Sequence, residues 1–216
     1  RETLQEKDTI RFHPIMKGVN CAVNIIPDEM VIESYVRGSN IEAMKRENKK
    51  FNRALAGAAA AIGCELHIDD KPGYSPEIHD VAYMQLVEEV CKDLAGADRV
   101  NFEYDSWSTG SSDFGDLTCV MPGIQFTSAG ASGTAHGINY YLTDPERLLI
   151  NSIKAQLLVA DKLLKDDAAK AKEIVANYKA PYASIPEYLD AIGDFILDRD
   201  VVEYEENGNV KLNLAK

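Results

Sequence analysis

No stretch of this chain approaches the roughly 20 consecutive apolar residues that a membrane-spanning helix needs, and no signal peptide is visible at its start. Cysteine is sparse. Cys21, Cys64, Cys91 and Cys119 show no CxxC spacing and each lies among apolar residues, which predicts four buried thiols in a reducing, cytoplasmic setting and not a disulfide framework. Basic residues are also short: 23 Lys and Arg stand against 35 Asp and Glu, a formal net charge of -12. That balance disfavours nucleic acid and anionic membrane surfaces as partners, because phosphate backbones are bound by clustered cations. Lys45, Arg46, Lys49, Lys50 and Arg53 share a segment with Glu42 and Glu47, the pattern of a solvated helix face. No P-loop, GxGxxG or HExxH occurs, and GASGT around Ser132 lacks the GxSxG spacing of a serine-hydrolase elbow.

What is present suits one large or two small domains, since 216 residues can bury real cores without staples. The opening RETLQEKD reads as the last turns of a helix. Thr9 to Met16 and the alternating run Glu29 to Arg37 read as strands, with Asn24 and Pro27 between them. Ser39 with Glu42 forms a capping box, and Ile41, Met44, Phe51, Leu55, Ala58 and Ile62 recur at helical spacing up to Gly63. Cys64 to Ile68 follows as a strand, completing most of a small sheet with helices on one face.

Beyond the Pro72, Gly73, Tyr74 turn, Val81, Met84, Val87, Cys91 and Leu94 mark a helix stopped by Gly96, followed by a strand candidate from Arg99 to Tyr104. Thr143 with Glu146 makes a second capping box ahead of a helix lined by Leu149, Ile153, Leu157, Ala160 and Leu164. Further helices are predicted over residues 167–178 and 186–197, and Asn207-Gly208 predicts a type I′ hairpin. There is no internal repeat and no low-complexity linker.

The stretch from Thr109 to His136 is the least core-like. Glycines at 110, 115, 123, 130, 133 and 137 surround one short apolar strand candidate, Ile124 to Phe126, so it reads as backbone arranged around something bound. His136 sits at its mouth. Asp113 and Asp116 resemble a carboxylate pair, yet Ser112 or Asp113 equally caps a short helix. His13 and His79 read as structural. His67 and Asp69 fall on one face of a strand, a spacing compatible with metal binding but lacking the several convergent ligands that a site requires.

Three blocks, RFHPIMKGVNCAVNIIPDEMVIESYVRG (residues 11–38), KPGYSP (71–76) and GSSDFGDLTCVMPGIQFTSAGASGTAHG (110–137), in this order and at these intervals, resemble a known family. It is the dinuclear metallopeptidases and amidohydrolases that include aminoacylase, carboxypeptidase G and p-aminobenzoyl-glutamate hydrolase, with the last subgroup nearest. The resemblance implies an α/β fold: an α+β, ferredoxin-like lid and dimerisation domain over residues 1–73, and over 74–216 the C-terminal part of an α/β, phosphorylase/hydrolase-like metallopeptidase domain. It implies that His136 is a metal ligand in a site of two divalent ions, zinc or manganese. Asn24 and Arg37 would then be substrate-binding residues, Arg37 pairing its planar fork with a carboxylate. Read without the resemblance, Asn24 is a turn residue and Arg37 a strand-end charge.

The chemistry so implied is hydrolysis of the amide of an N-acyl amino acid, an aminobenzoyl-glutamate-type amide or a dipeptide, by a homodimer joined through its lid. The family's other metal ligands and its general-base glutamate belong to an N-terminal half with no counterpart in this sequence. The chain therefore reads as a C-terminal fragment with no catalytic residue of its own, inactive alone; the alternative is a non-catalytic dimerising remnant or the product of a broken gene.

Overall fold

The structure, a computed structural model, describes residues 4–106 and 110–214; Arg1, Glu2 and Thr3 of the opening segment, and Thr109 at the head of the glycine-rich stretch, lie outside the described residues. Helix and strand are mixed, in agreement with the α/β class. The chain divides into two compact units, Arg1–Pro76 with Pro186–Lys216, and Glu77–Ile185. Residues 186–216 thus group with the first unit.

In the first unit each predicted long strand is broken in two. Arg11–Phe12 (β1) and Ile15–Val19 (β2) are separated at Pro14, which has no N–H to give a ladder. Glu29–Glu33 (β3) and Val36–Arg37 (β4) are separated at Ser34 and Tyr35. β2 pairs antiparallel with β3, while β1 pairs with β4, placing Arg11 opposite Arg37.

Helix α1, Ile41–Ile62, is capped by Asn40, whose side chain accepts from the Ala43 N–H at 2.8 Å; the predicted cap was its neighbour Ser39. Gly63 ends the helix at φ 77°, a conformation that glycine adopts without strain. Ile41 and Met44 are buried as predicted, but beyond them the face that α1 buries shifts from the predicted line. Ile62 is 77 % exposed, whereas Glu47, Asn52 and Ala56 are buried. Hydrogen bonding explains the shift: Asn48 and Asn52 each donate to the Asp70 carboxylate, at 2.7 and 2.5 Å, which makes burial of a polar side chain tolerable. Glu47 is likewise no solvated-face residue. Burial pushes its carboxyl up, but bonds from Lys50 (3.0 Å) and Arg46 (2.7 Å) outweigh this and hold its pKa below the ordinary range.

His67–Asp70 (β5) lies somewhat later than the predicted strand and pairs antiparallel with Leu197–Asp200 (β6). The helix predicted to reach Leu197 stops earlier, at Ile185–Gly193. Ala56, Ile68, Leu197, Val201 and Val202 form the core of this unit. The C-terminal hairpin pairs Val202–Tyr204 (β7) with Val210–Leu212 (β8). Its turn differs from the type I′ expectation. Only Gly208 has positive φ, 85°, and its N–H bonds to the Glu205 carbonyl, the type I turn with a glycine bulge.

In the second unit, Val81–Ala95 (α2) is capped by Asp80, which accepts from the Tyr83 N–H at 2.8 Å, and it ends at Gly96. Phe114–Thr118 (α3) is short, and Asn151–Asn177 (α4) is long. Non-helical backbone from Lys165 to Ala168 breaks α4 where the sequence predicted a gap between two helices. Arg99–Tyr104 and Ile124–Phe126 carry no ladder; Phe102, Ile124 and Phe126 instead pack against Leu86, Val87, Val90 and Val159. Their apolar character came from packing against helices and not from strand pairing.

None of the four cysteines is in a disulfide. Cys119 is buried and Cys91 half-buried, but Cys21 and Cys64 are exposed, against the expectation of four buried thiols.

Candidate functional site

The loop that carries His136 is built from a small hairpin. Ala131–Ser132 (strand A) pairs antiparallel with Tyr141–Leu142 (strand B), and His136 lies in the connection. Just before strand A, the Gly130 carbonyl accepts from the Thr143 N–H (2.9 Å), the Asp144 N–H (3.0 Å) and the Thr143 hydroxyl (3.1 Å). Thr143 therefore ties the loop, and the N-terminal cap function falls to Asp144, whose carboxylate accepts from the Arg147 N–H at 2.9 Å.

Inside the connection, Gly137 N–H bonds to the Thr134 carbonyl at 2.7 Å, which makes His136 the third residue of a tight turn. Its φ is 63°, left-handed and uncommon for a residue with a side chain. A second turn follows, with Tyr140 N–H on the Gly137 carbonyl at 3.1 Å, and the Asn139 side chain accepts from Thr134 N–H at 3.3 Å. The loop is thus tied by its own backbone, and the imidazole is presented exposed. Non-glycine residues held at positive φ by surrounding bonds are found at ligand-holding positions more often than elsewhere.

Among the described residues no group of three or more His, Cys, Asp or Glu side chains could hold a metal ion. His136 offers one imidazole, a nitrogen donor suited to zinc and other first-row ions. The described residues do not compose a metal centre by themselves, because a catalytic ion takes about three protein ligands.

Asn24 and Arg37 belong to the first unit. Asn24 is exposed within a turn closed by the Ile25 N–H on the Ala22 carbonyl at 3.1 Å, part of the connection between β2 and β3. Arg37 is half-buried on β4, with its guanidinium 5.7 Å from the centre of the Tyr35 ring.

Two polar clusters were not legible from spacing. His67 has Asp200 at 2.9 Å from Nδ1 and Asp198 at 3.0 Å from Nε2, across the β5–β6 ladder. The bond to Asp200 raises its pKa, burial opposes this, and the bond to Asp198 adds to the rise. An imidazole whose two nitrogens both face carboxylates is stabilised as a cation, the opposite of a metal ligand. In the second unit Glu77 accepts from the Ser112 hydroxyl at 2.8 Å and lies 3.1 Å from His79 Nε2. The carboxylate stands between serine and histidine, so the imidazole is not placed to take the serine proton, and no nucleophilic relay results. Ser112 also accepts from the Phe114 N–H at 3.3 Å, fixing the start of α3.

Comparison with known proteins finds partial relatives of the chain. The chain is 28 % identical over 127 residues to an Xaa-Arg dipeptidase of Mus musculus, covering 56 % of this chain and 28 % of that protein. It is 27 % identical over 145 residues to the Xaa-Arg dipeptidase of Homo sapiens, covering 63 % and 32 %. An N-acetyldiaminopimelate deacetylase of Oceanobacillus iheyensis is 23 % identical over 103 residues, covering 48 % and 27 %. This chain is similar to part of two kinds of amide-cleaving enzyme. The matches span about a third or less of those relatives' length. They support the amidohydrolase resemblance without distinguishing a subgroup. No protein-family model and no solved structure matches the chain.

Proposed function

We propose that this chain is the lid and the C-terminal catalytic portion of a metal-dependent amidohydrolase, and that His136 supplies one imidazole to a centre of two zinc or manganese ions completed by residues beyond this sequence. The observation that carries the reading is the hairpin loop itself, whose internal bonds hold an exposed histidine at positive φ in the block that resembles the family. The partial similarity to a dipeptidase and a deacetylase supports it. Substrates are amides bearing a free carboxylate: N-acyl amino acids, aminobenzoyl-glutamate-type amides or dipeptides. Arg37 receives the carboxylate and Asn24 a neighbouring oxygen, on a lid that also joins two copies.

The alternative reading is a non-catalytic dimerising chain. Elemental analysis and turnover separate the two. The 216-residue chain alone is expected to be inactive. Expressed with the rest of the amidohydrolase fold, the wild type should bind metal and cleave N-acyl amino acids. His136→Ala should then lose one metal and on the order of 100-fold or more in kcat. Unchanged metal content in that variant would remove His136 from the site.

A further inference from the structure

Helix α4 is apolar on two opposite sides. Toward α2 it buries Val159, and Ala155 is buried on the same side. With about 100° between successive residues, a second stripe runs along the opposite face: Ile150 at the helix start, then Ile153, Leu157 and Leu164. These are 45, 54, 66 and 68 % exposed. Helical spacing puts Ile153, Leu157 and Leu164 on one apolar line of the predicted helix; the structure turns that line to solvent. A surface helix normally has one apolar side, so a second such stripe calls for an occupant.

Its pattern is self-complementary. If two copies of α4 pack antiparallel about a two-fold axis through Leu157, Leu157 of one copy meets Leu157 of the other, Ile150 meets Leu164, and Ile153 meets the small Ala160. Lys154 and Asp161 are both exposed and flank the stripe on the same side, roughly 60° and 40° from Leu157. A two-fold axis keeps that side but reverses the helix direction. Lys154, three residues before Leu157, then stands beside Asp161 of the other copy, displaced along the axis by about one residue rise of 1.5 Å. Symmetry repeats the pair. The stripe ends where it must: backbone from Lys165 to Ala168 leaves the helical path directly after Leu164.

We propose that this outer face of α4 is an isologous contact between two copies of this chain, with Lys154 and Asp161 setting its antiparallel register. A contact about 21 Å long on a single helix pair is small beside standard stable interfaces, so the association is weak and concentration-dependent.

Sedimentation of the full chain between about 1 and 200 µM tests this. The mass should rise toward twice its dilute value, and Leu157→Glu should hold it at the lower value throughout. Because Leu157 is exposed, the variant should keep its helical circular dichroism. Lys154→Asp and Asp161→Lys should each weaken association about tenfold, by opposing like charges twice, and the double exchange should restore it. Three results overturn the proposal: a mass independent of concentration, which assigns the stripe to another occupant such as the rest of an amidohydrolase fold; a mass indifferent to Leu157→Glu, as self-association through the first unit would give; or a double exchange as weak as the single ones. The readout is mass and not turnover, so failure here leaves the proposed activity standing.

Discussion

Gly133→Ala should open the His136 hairpin while leaving the second unit folded. A Cβ at Gly133 would lie 2.0 Å from the Asn139 carbonyl oxygen, 2.6 Å from its carbon and 3.0 Å from Tyr140 Cα, all backbone atoms that cannot rotate away. The residue also has φ 97°, which costs a side-chain-bearing residue about 1–3 kcal/mol even without the contact. Against this stand the two residue pairs between strands A and B and the two backbone bonds to Gly130, each contributing about 1 kcal/mol net. Strain plus overlap equals or exceeds what holds the hairpin, so the hairpin gives way. None of its four strand residues is buried, so the core around Val87, Val90 and Val159 should not notice. Hydrogen exchange followed by NMR is the direct assay. The amides of Thr143 and Asp144, which donate to Gly130, should lose roughly 10- to 100-fold of their protection, while those of α2 keep theirs. Unchanged protection at Thr143 and Asp144 would refute the argument that glycine is required there by contact and conformation.

Gly57→Ala should do the reverse, raising first-unit stability by about 0.5–1 kcal/mol in urea unfolding, because it lies inside α1 with nothing within 4 Å of the added carbon. His67 has a raised folded-state pKa, so its contribution is complete below the unfolded value of about 6.5 and is lost as pH rises through the folded value. The wild type should therefore lose more stability than His67→Gln between about pH 6 and pH 9, and equal losses would dismiss the Asp198–His67–Asp200 bridge as a contributor. In an assembled enzyme, Arg37→Ala should chiefly raise KM, at a cost of roughly 2–5 kcal/mol if the pair with substrate is desolvated. Arg37→Lys should recover only part. If Arg37→Ala still prefers a free acid over its amide by the wild-type margin, Arg37 is only a strand-end charge.

Helix stops were predicted well, because they act over three or four residues, whereas both predicted caps, Ser39 and Thr143, yielded to their neighbours Asn40 and Asp144. Gly63 and Gly96 end α1 and α2 as read, and the gap in α4 falls where the residues 149–164 and 167–178 patterns part. Strands were less legible. Arg99–Tyr104 and Ile124–Phe126 have the composition of strands, but a strand exists only when another section of backbone bonds to it, and the described residues provide none. The His136 loop was recognisable from its glycines and its block, yet the turn that holds the imidazole at positive φ was not, since it depends on the bond that Thr134 donates to Asn139 and the one it accepts from Gly137.

By itself, then, the sequence determined the acidic charge balance, the absence of membrane-length apolar runs, the order of helices and the block containing His136; each depends on composition or on neighbours within a few residues. Tertiary structure alone decided which face of a helix is buried. Asn52 went inward on α1 because the distant Asp70 accepts from it, and Leu157 stayed outward on α4 because Val159 and Ala155 face inward on the opposite side. Helical spacing says that two faces exist, and only the surfaces available in three dimensions choose between them.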